Sequence, residues 1–359
     1  MADCPSTRIG VAGYGYWGTK HVRVLTSLAG VQVTVIEPDE ERRRRARADH
    51  PEVGVVRDLD DMLDGLDGLV VVTPPATHAR LAIKALGAKV PTLVEKPLVL
   101  LEQDGVAVVE AARAAGVQLM VGHVFAYDAA VRKLRDVIAS GELGRVLHID
   151  CARLNLGRYR QDCDVVWDLA PHDISIVAHL LGELPATVSA WTHRAAVRAA
   201  HADVAHLRLD FAEAGVSAFV HVSWLAPEKV RRITVVGERK TAVYDDLAGD
   251  QRLRIHDVGV DLSDHDAATD SGSPVVHRCG DIVSPPVPGA EPLMVQDAHF
   301  VDCVRAGTPP ATPGEQGLAV VRVLAAADRA ASTGAPATVA RRHTAAGAGW
   351  GRTSVEVAS

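Results

Sequence analysis

Residues 8–18 read RIGVAGYGYWG: a short apolar run, glycines at 13, 15 and 18, then a stretch with helical periodicity. Three glycines so spaced between a buried strand and a helix leave a chain few options. Gly13 permits a tight turn, Gly15 lets the backbone approach a pyrophosphate, and Gly18 allows the helix to pack closely on the strand. The helix N-terminus then faces the phosphate charge. A lone Gly-x-Gly-x-x-Gly is a weak signal. This one sits inside a complete βαβ pattern, because VQVTVI follows at 31–36, and the expectation is a dinucleotide-binding turn.

The same rhythm continues to residue 122. Strand-like runs lie at 8–13, 31–36, 53–56, 68–73, 91–95 and 117–122, with helical patterns near 17–29, 38–49, 77–88 and 101–115. Near-continuous Val, Ile and Leu in the short runs predicts strands buried on both faces, and their alternation with helices predicts a parallel, doubly wound sheet. The fold class is thus α/β, with an N-terminal Rossmann domain over 1–122. Glu37 ends the second strand, 19 residues after Gly18, where a carboxylate accepts the adenosine 2′ hydroxyl and repels a 2′ phosphate. NAD is favoured over NADP, and Arg42 and Arg43 keep NADP open, because a nearby Arg can accept the extra phosphate.

After Gly122 the pattern changes. A helix over about 128–140 leads to a long strand, RVLHIDCARLNLG, and a second helix over about 168–182 leads to alternating runs such as TVSAWTHR, AHLRLDF, VSAFVHVSW, RRITVVGE and TAVYDD. Period-two alternation predicts an α+β domain over 123–293 with an open, largely antiparallel sheet, one face covered by helices. The stretch 257–292, rich in Asp, Ser, Gly and Pro, reads as mostly loop with one short hairpin. A helical pair occupies 294–340, at 294–306 and 314–333, and 341–359 is an Ala/Gly-rich tail.

Bulk properties narrow the partners. The 359 residues suit about two domains, and a net charge of −7 gives no electrostatic support for a nucleic-acid or anionic-membrane partner. The basic run Arg42 to Arg45 follows Glu40 and Glu41 and reads as a solvated helix face. Five scattered cysteines with no Cys-x-x-Cys pair fit reduced thiols. No apolar leader precedes the first strand, and no run approaches the roughly 18 apolar residues of a membrane span. The expectation is a soluble, cytoplasmic protein.

Two further patterns carry chemistry. The fifth strand ends in Glu95-Lys96-Pro97, and in a doubly wound sheet the carboxyl ends of strands form the ligand crevice. A lysine there is placed to reach a nicotinamide and the reacting carbon. The second is VVWDLAPHDIS, with Asp168 and His172 at i, i+4, stacked on one helix face. A His is the usual acceptor of a hydroxyl proton near neutral pH, and a carboxylate beside it can orient it. A capping Asp plus a buried structural His reads the same pattern equally well. Zinc lacks a third and fourth ligand at suitable spacing, so no metal is expected. Asp173 faces another side of the helix and reads as structural.

Taken together the chain resembles the Gfo/Idh/MocA oxidoreductases, the glucose–fructose oxidoreductase and inositol dehydrogenase family. The resemblance runs through GYGYWG, VVVTPPATH, EKP, GHVFAYDAAVRKL, SGELG, RLNLG, VVWDLAPHDIS and AHFVDCVRAGTPPATPGEQG, covering nearly the whole length. Each is weak alone, but their order and spacing are specific.

The resemblance implies that Lys96 is the catalytic lysine that hydrogen-bonds the reacting oxygen, and that Asp168 and His172 are the acid/base pair, with His172 the proton acceptor in oxidation. It implies cofactor contacts from Gly13, Gly15, Tyr16, Trp17 and Gly18, from Glu37, and from Thr73, Pro74 and His78 beside the nicotinamide ribose. Glu95, Lys96 and Pro97, a proline often cis, complete that set. Substrate contacts are expected from Lys96, His123, Tyr127, Asp168 and His172. Arg153, Asn155 and Arg158, on or just after a strand, would suit a polyol, a carboxylate or a sugar phosphate, or they belong to an exposed edge strand. The family's open sheet mediates dimers and tetramers, so a homodimer or homotetramer is expected, and its late helices return to the Rossmann half.

Many relatives carry Arg and Asn around Ala126 and Asp128, which puts the usual contacts there in doubt. The implied activity is NAD-dependent hydride transfer to or from a ring hydroxyl of a sugar, amino sugar, nucleotide sugar or cyclitol, in a polysaccharide or secondary-metabolite pathway. A ketoreductase running in reverse with NADPH, an inactive dinucleotide-binding regulator and a non-sugar substrate stay open.

Overall fold

The computed structural model describes residues 6–157, 159–160, 162–195, 201–261, 276–287, 289–340 and 350. They form two compact units. The first comprises Met1–Tyr127, Ala290–Ala325 and Ala340–Ser359, and the second Asp128–Gly289 and Ala326–Val339. The tail from 341 onward lies outside the described residues apart from Trp350.

The first unit is built on six parallel strands, β1 (Thr7–Ala12), β2 (Val31–Ile36), β3 (Gly54–Val56), β4 (Gly68–Val71), β5 (Thr92–Val94) and β6 (Leu119–Val121), in the order β3-β2-β1-β4-β5-β6. Ile9, Val11, Val35, Leu69, Val70, Val71, Leu93 and Val94 are fully or almost fully buried, as strands covered on both faces require. Helices α1 (Tyr16–Ser27), α2 (Glu40–Asp49), α3 (His78–Gly87) and α4 (Glu102–Ala115) alternate with them. Asp39 caps α2 by accepting from Arg42 N, and Gly116 ends α4 at φ +67. The strand order reverses direction between β1 and β4, so the ligand crevice of such a sheet opens at their carboxyl ends.

The second unit holds a mixed sheet. Its strands are β7 (Val146–Leu156), β8 (Thr187–His193), β9 (Val204–Phe211), β10 (Val216–Ser223), β11 (Leu225–Gly237), β12 (Thr241–Asp245), β13 (Leu253–Asp261), β14 (Val276–Val283) and β15 (Ala337–Thr338). Their order is β14-β13-β12-β11-β7-β10-β9-β8-β15. β7 is central, parallel to β10 and antiparallel to β11, and the other pairs are antiparallel. Helices α5 (Ala129–Ala139) and α6 (Val165–Leu181) pack on its inner face, where Ile149, Leu209, Ala218, Val220, Ile233 and Val235 are buried. On the outer face the register lines up Trp191, His206, His221, Ala152, Arg232 and Asp245 across six strands.

Two late helices complete the described chain, α7 (Pro292–Ala306) in the first unit and α8 (Gly314–Thr333), which the unit boundary at Ala325 divides. The first unit runs to Tyr127 rather than ending at Gly122, because the short 3-10 turn Val124–Tyr127 packs on α7. The stretch 257–292, expected as mostly loop with one short hairpin, holds the end of β13 and all of β14, which pair antiparallel and extend the sheet. β14 is an edge strand whose side chains from His277 to Val283 are exposed, so no buried alternation marked it. Residues 262–275 lie outside the described residues.

The glycine turn gives the clearest steric test. A Cβ on Gly18 would lie 2.1 Å from the Gly13 carbonyl oxygen, whereas one on Gly15 would meet nothing within 4 Å. Gly18→Ala is expected to cost about 1–3 kcal/mol, the range for overpacking a close contact, and Gly15→Ala less. Urea midpoints of the two variants check this, and equal losses would contradict it.

Candidate functional site

In the first unit the glycine turn and the end of β2 form one arrangement. Gly13 adopts φ +104, and Gly15 caps α1 with neither a side-chain cap bond nor an acidic residue in the first turn. The orphan N–H groups of that turn thus keep their affinity for an anion. Glu37 is 3% exposed, and its carboxylate accepts from Tyr14 N at 2.8 Å and Asp39 N at 3.1 Å. These bonds fix its orientation at the strand end. Arg43 turns inward to the carbonyls of Glu37 and Pro38, leaving the exposed Arg42, 3.8 Å from Glu37, as the outward cation of the two. Tyr16 is exposed and Trp17 half-buried, ring edge to ring face at 5.6 Å.

The segments at the ends of β4 and β5 are tied by His78. Its Nε2 donates to Thr73 O at 2.8 Å, and Nδ1 faces Pro97 O at 3.0 Å. Burial lowers its pKa, with the Thr73 and Pro97 carbonyls opposing. His78, expected beside the nicotinamide ribose, is thereby a 1%-exposed brace between Thr73 and the cis Lys96–Pro97 peptide. Thr73 Oγ1 bonds Thr77 Oγ1 at 2.6 Å, and Pro74 is exposed ahead of the 3-10 turn Pro75–Thr77.

Glu95, expected among the cofactor contacts, turns both carboxylate oxygens into the protein. Oε2 accepts from Lys96 N at 3.1 Å, and Oε1 lies 3.3 Å from His21 Nε2. His21 Nδ1 in turn lies 2.9 Å from Asp297 on α7. Both ring nitrogens face carboxylates, so both carry hydrogen and the ring is an imidazolium. Desolvation pulls its pKa down, but Asp297 and then Glu95 outweigh this and raise it to about 10. Burial raises the Asp297 carboxyl as well, with His21 opposing. A Cβ on Gly122 would approach Glu95 Oε1 to 2.6 Å, so the residue after β6 must be small. Sequence reasoning missed this trio; its signal was a histidine and an acid on buried helix faces.

Beyond β6, Tyr127 corrects an expectation. Expected at the substrate, it is a core residue: its hydroxyl bonds Thr312 Oγ1 at 3.0 Å and its ring packs in the central apolar cluster. His123 is 2% exposed, and neither ring nitrogen has a hydrogen-bond partner among the described residues.

In the second unit, Asp164 caps α6 by accepting from Trp167 N. The cap is therefore not Asp168. Asp168, in the first turn, accepts from Trp224 Nε1 at 3.2 Å and Arg160 Nη1 at 3.3 Å. Neither donor was singled out from the sequence, since Arg160 sits in the loop before α6 and Trp224 at a strand end 56 residues away. His172 is 9% exposed, one turn further along. Pro171 between them has no N–H for the Trp167 carbonyl.

Arg153 and Asp173 form a buried bidentate pair at 3.0 and 2.8 Å. Arg153, expected to present its charge to a ligand, is thus already neutralised, and its strand is central in the sheet rather than an edge. Asn155 Oδ1 is buried without a partner among the described residues, and Arg158 lies outside them. Asp128 caps α5 and pairs with Arg252 and Tyr244, so the departure at this position has a structural role.

Comparison with known proteins fits this geometry. Residues 7–123 match the family model described as oxidoreductase family, NAD-binding Rossmann fold, and 131–243 match the GFO/IDH/MocA C-terminal domain. The chain belongs to the GFO/IDH/MocA oxidoreductase family. Among its relatives, an inositol 2-dehydrogenase of Rhodococcus erythropolis is 33% identical over 51% of this chain and 55% of the relative. The chain thus spans about half the length of the curated relatives it matches. The WlbA dehydrogenase from Bordetella pertussis, solved with NADH and UDP-GlcNAcA, superposes with a TM-score of 0.77 at 20% identity, over 95% of this chain and 100% of that one. An oxidoreductase domain protein from Kribbella flavida gives 0.80 at 20% identity, over 94% and 100%.

As a GFO/IDH/MocA Rossmann domain the first unit is NAD-binding, and its residues fit that cofactor. The open space over Gly15 leaves room against the backbone for a pyrophosphate, and Glu37 holds a carboxylate where the ribose diol belongs. Among the described residues no group of three or more potential ligands could hold a metal ion, and no helix is long and apolar enough to cross a membrane.

The His21 trio makes stability depend on pH. A free imidazole titrates near 6.5 and His21 in the folded chain near 10, so the folded state holds the extra proton between these values. Its contribution is complete below pH 6.5 and is lost as pH rises through about 10. His21→Gln is expected to flatten the alkaline decline of Tm over that window. A variant whose Tm falls as steeply as the parent's would assign the decline to another group.

Proposed function

We propose that this chain is an NAD-dependent dehydrogenase that oxidises a ring hydroxyl of a sugar, amino sugar, nucleotide sugar or cyclitol, in a polysaccharide or secondary-metabolite pathway. The observation that carries the reading is the α6 pair. Cap duty falls to Asp164, so the Asp168 carboxylate is held by Trp224 and Arg160 one turn before the buried His172 imidazole. The names of the inositol dehydrogenase relative and of the UDP-sugar-bound dehydrogenase support the substrate class.

Bound NAD supplies the hydride acceptor. The chain's own residues handle the proton and the charge: His172 takes the hydroxyl proton, and Lys96 hydrogen-bonds the oxygen as it becomes a carbonyl. Asp168, fixed by its two donors, orients the imidazole. The C–H pair leaves as hydride and the O–H proton goes to His172, so the step balances. Lys96 belongs to the first unit and the α6 pair to the second.

The test is a panel of cyclitols, aldoses, amino sugars and nucleotide sugars with NAD, read by NADH absorbance. Lys96→Ala and His172→Ala should each lower turnover of the accepted alcohol by roughly 10² to 10⁴, with NAD affinity unchanged. No turnover with any member, alongside tight NAD binding, would favour a dinucleotide-binding regulator. If His172→Ala instead melts the protein while activity per folded molecule persists, the histidine is a core residue and the assignment fails.

The second unit's sheet is proposed to assemble the chain into a homodimer or homotetramer. Its outer face leaves Trp191 54% and Phe219 44% exposed among Arg, Asp and His side chains, a mixture of apolar and paired charge common at interfaces. Light scattering at micromolar concentration should return a multiple of the chain mass, and Trp191→Glu should lower it. A monomer at that concentration contradicts this.

A further inference from the structure

We propose that the sheet contact between two copies of this chain, on whose existence this inference rests, is released by acid through His206 and His221. It forms while their imidazoles are neutral and breaks when they take up protons. On the outer face of the second unit's sheet, rings make a ladder across β8, β9 and β10. Trp191 stacks on His193 at 5.6 Å and tilts against His206 at 5.7 Å, and the His206 and His221 rings stack with centroids 4.0 Å apart and planes at 16°. Two imidazoles this close cannot both be charged without strong repulsion.

The face around the ladder is shaped to meet itself. A two-fold contact uses the same patch on both copies, so each projection needs a hollow that the symmetry brings beneath it. Trp191, 54% exposed, is the projection. A hollow of about 350 Å³ opens over the small Ala152 side chain, walled by His206, His221, Phe219, Asp150 and Arg232. Trp191 and Ala152 lie on one cross-strand row, one strand to either side of the His206–His221 pair. A two-fold line running between β9 and β10 therefore lays each copy's Trp191 over the other's hollow. The same line lays His206 over the partner's His221, so that both pairs of imidazoles meet and are shut from water.

Charge decides what protons do there. The fixed charges around the ladder already have partners within the face: Arg208 with Asp210 at 2.8 Å, Arg232 with Asp245 at 3.1 Å, and Asp150 with His148 at 3.1 Å. Two such faces meet without net repulsion, and neither has a spare acid. Among the described residues no carboxylate pairs with His206 or His221. Burial, and then His206, holds the His221 pKa below the ordinary imidazole value of 6.5. In a lone copy an imidazolium here keeps its water, because His206 is exposed and His221 half-buried. Across the contact it would be desolvated against its stacked neighbour and the partner's pair, with no counter-ion. The separated copies thus bind more protons than the joined ones. The contact is complete above about pH 6.5 and is lost as pH falls below it.

The experiment weighs the full chain by light scattering at about pH 7.5 and about pH 5.5, with circular dichroism to follow the fold. The parent is compared with two double variants. His206→Gln with His221→Gln stays polar but takes no proton, and His206→Phe with His221→Phe keeps stacked rings. The parent should stay folded at both pH values while its mass at least halves at the lower one. Its dissociation constant should rise roughly tenfold per pH unit for each proton taken up. At least one double variant should keep its mass at both. A parent of equal mass at both pH values, or double variants that dissociate in acid as the parent does, would overturn the switch and leave the assembly standing. Double variants that never assemble would make the rings packing alone, and a parent that unfolds as its mass falls would assign the loss to folding; either result overturns the switch. A parent that is a single chain at pH 7.5 would sink the assembly reading itself, and the switch with it.

Discussion

His21 holds together three parts of the first unit that are remote in sequence. Its imidazolium joins Asp297 on α7 to Glu95 at the end of β5, and Glu95 passes the constraint to the Lys96 peptide N–H. Buried charges of this kind are expensive to desolvate, and removing one partner strands the others. Such a trio therefore fixes geometry more than it adds stability. Here the geometry fixed is that of the turn bearing Lys96. His78 braces the same turn from the other side through Thr73 and Pro97 carbonyls. The lysine's backbone is thus held by two histidines, one charged and one whose burial disfavours charge.

Much of this architecture was legible because it rests on short-range rules. The continuous Val/Ile/Leu runs could only be doubly covered strands, and Gly13, Gly15 and Gly18 lie at the bend between β1 and α1 that the turn chemistry demands. Asp168 and His172 were found through helical periodicity alone. What stayed hidden depends on distant partners. Asp297 and His21 are 276 residues apart. Trp224 reaches Asp168 across 56 positions, and no local pattern announces either pair. The full extent of β14, beyond the short hairpin expected there, escaped notice because its side chains from His277 to Val283 are exposed and enforce no alternation.

Three residues changed meaning once their surroundings were known. Arg153 looked like a ligand-seeking cation and is matched by Asp173 beneath the sheet. Tyr127 looked like a pocket residue and lies in the core against Thr312. Asp128, where the resemblance put ligand contacts in doubt, serves α5 and Arg252. In each case the residue type was informative about polarity but silent about which face of its element it would occupy. The polar groups still offered to a ligand are correspondingly fewer, which sharpens the selectivity the site can have.

The division of the chain has a consequence for its synthesis. Most of the second unit, Asp128–Gly289, interrupts the first, which needs α7 from beyond it, and the second unit in turn takes Ala326–Val339 from later still. A nascent chain that has emerged through β6 already has His21 and Glu95 but neither Asp297 nor Phe300, both fully buried in the finished protein. The apolar surface that Phe300 covers stays open to water while the inserted residues are made. Domains generally fold as units during translation, N-terminal first. In this chain neither unit has all its parts until the late helices are made, α7 for the first and Ala326–Val339 for the second. During that interval the exposed edge and face of the parallel strands are the part of the molecule most in need of a chaperone.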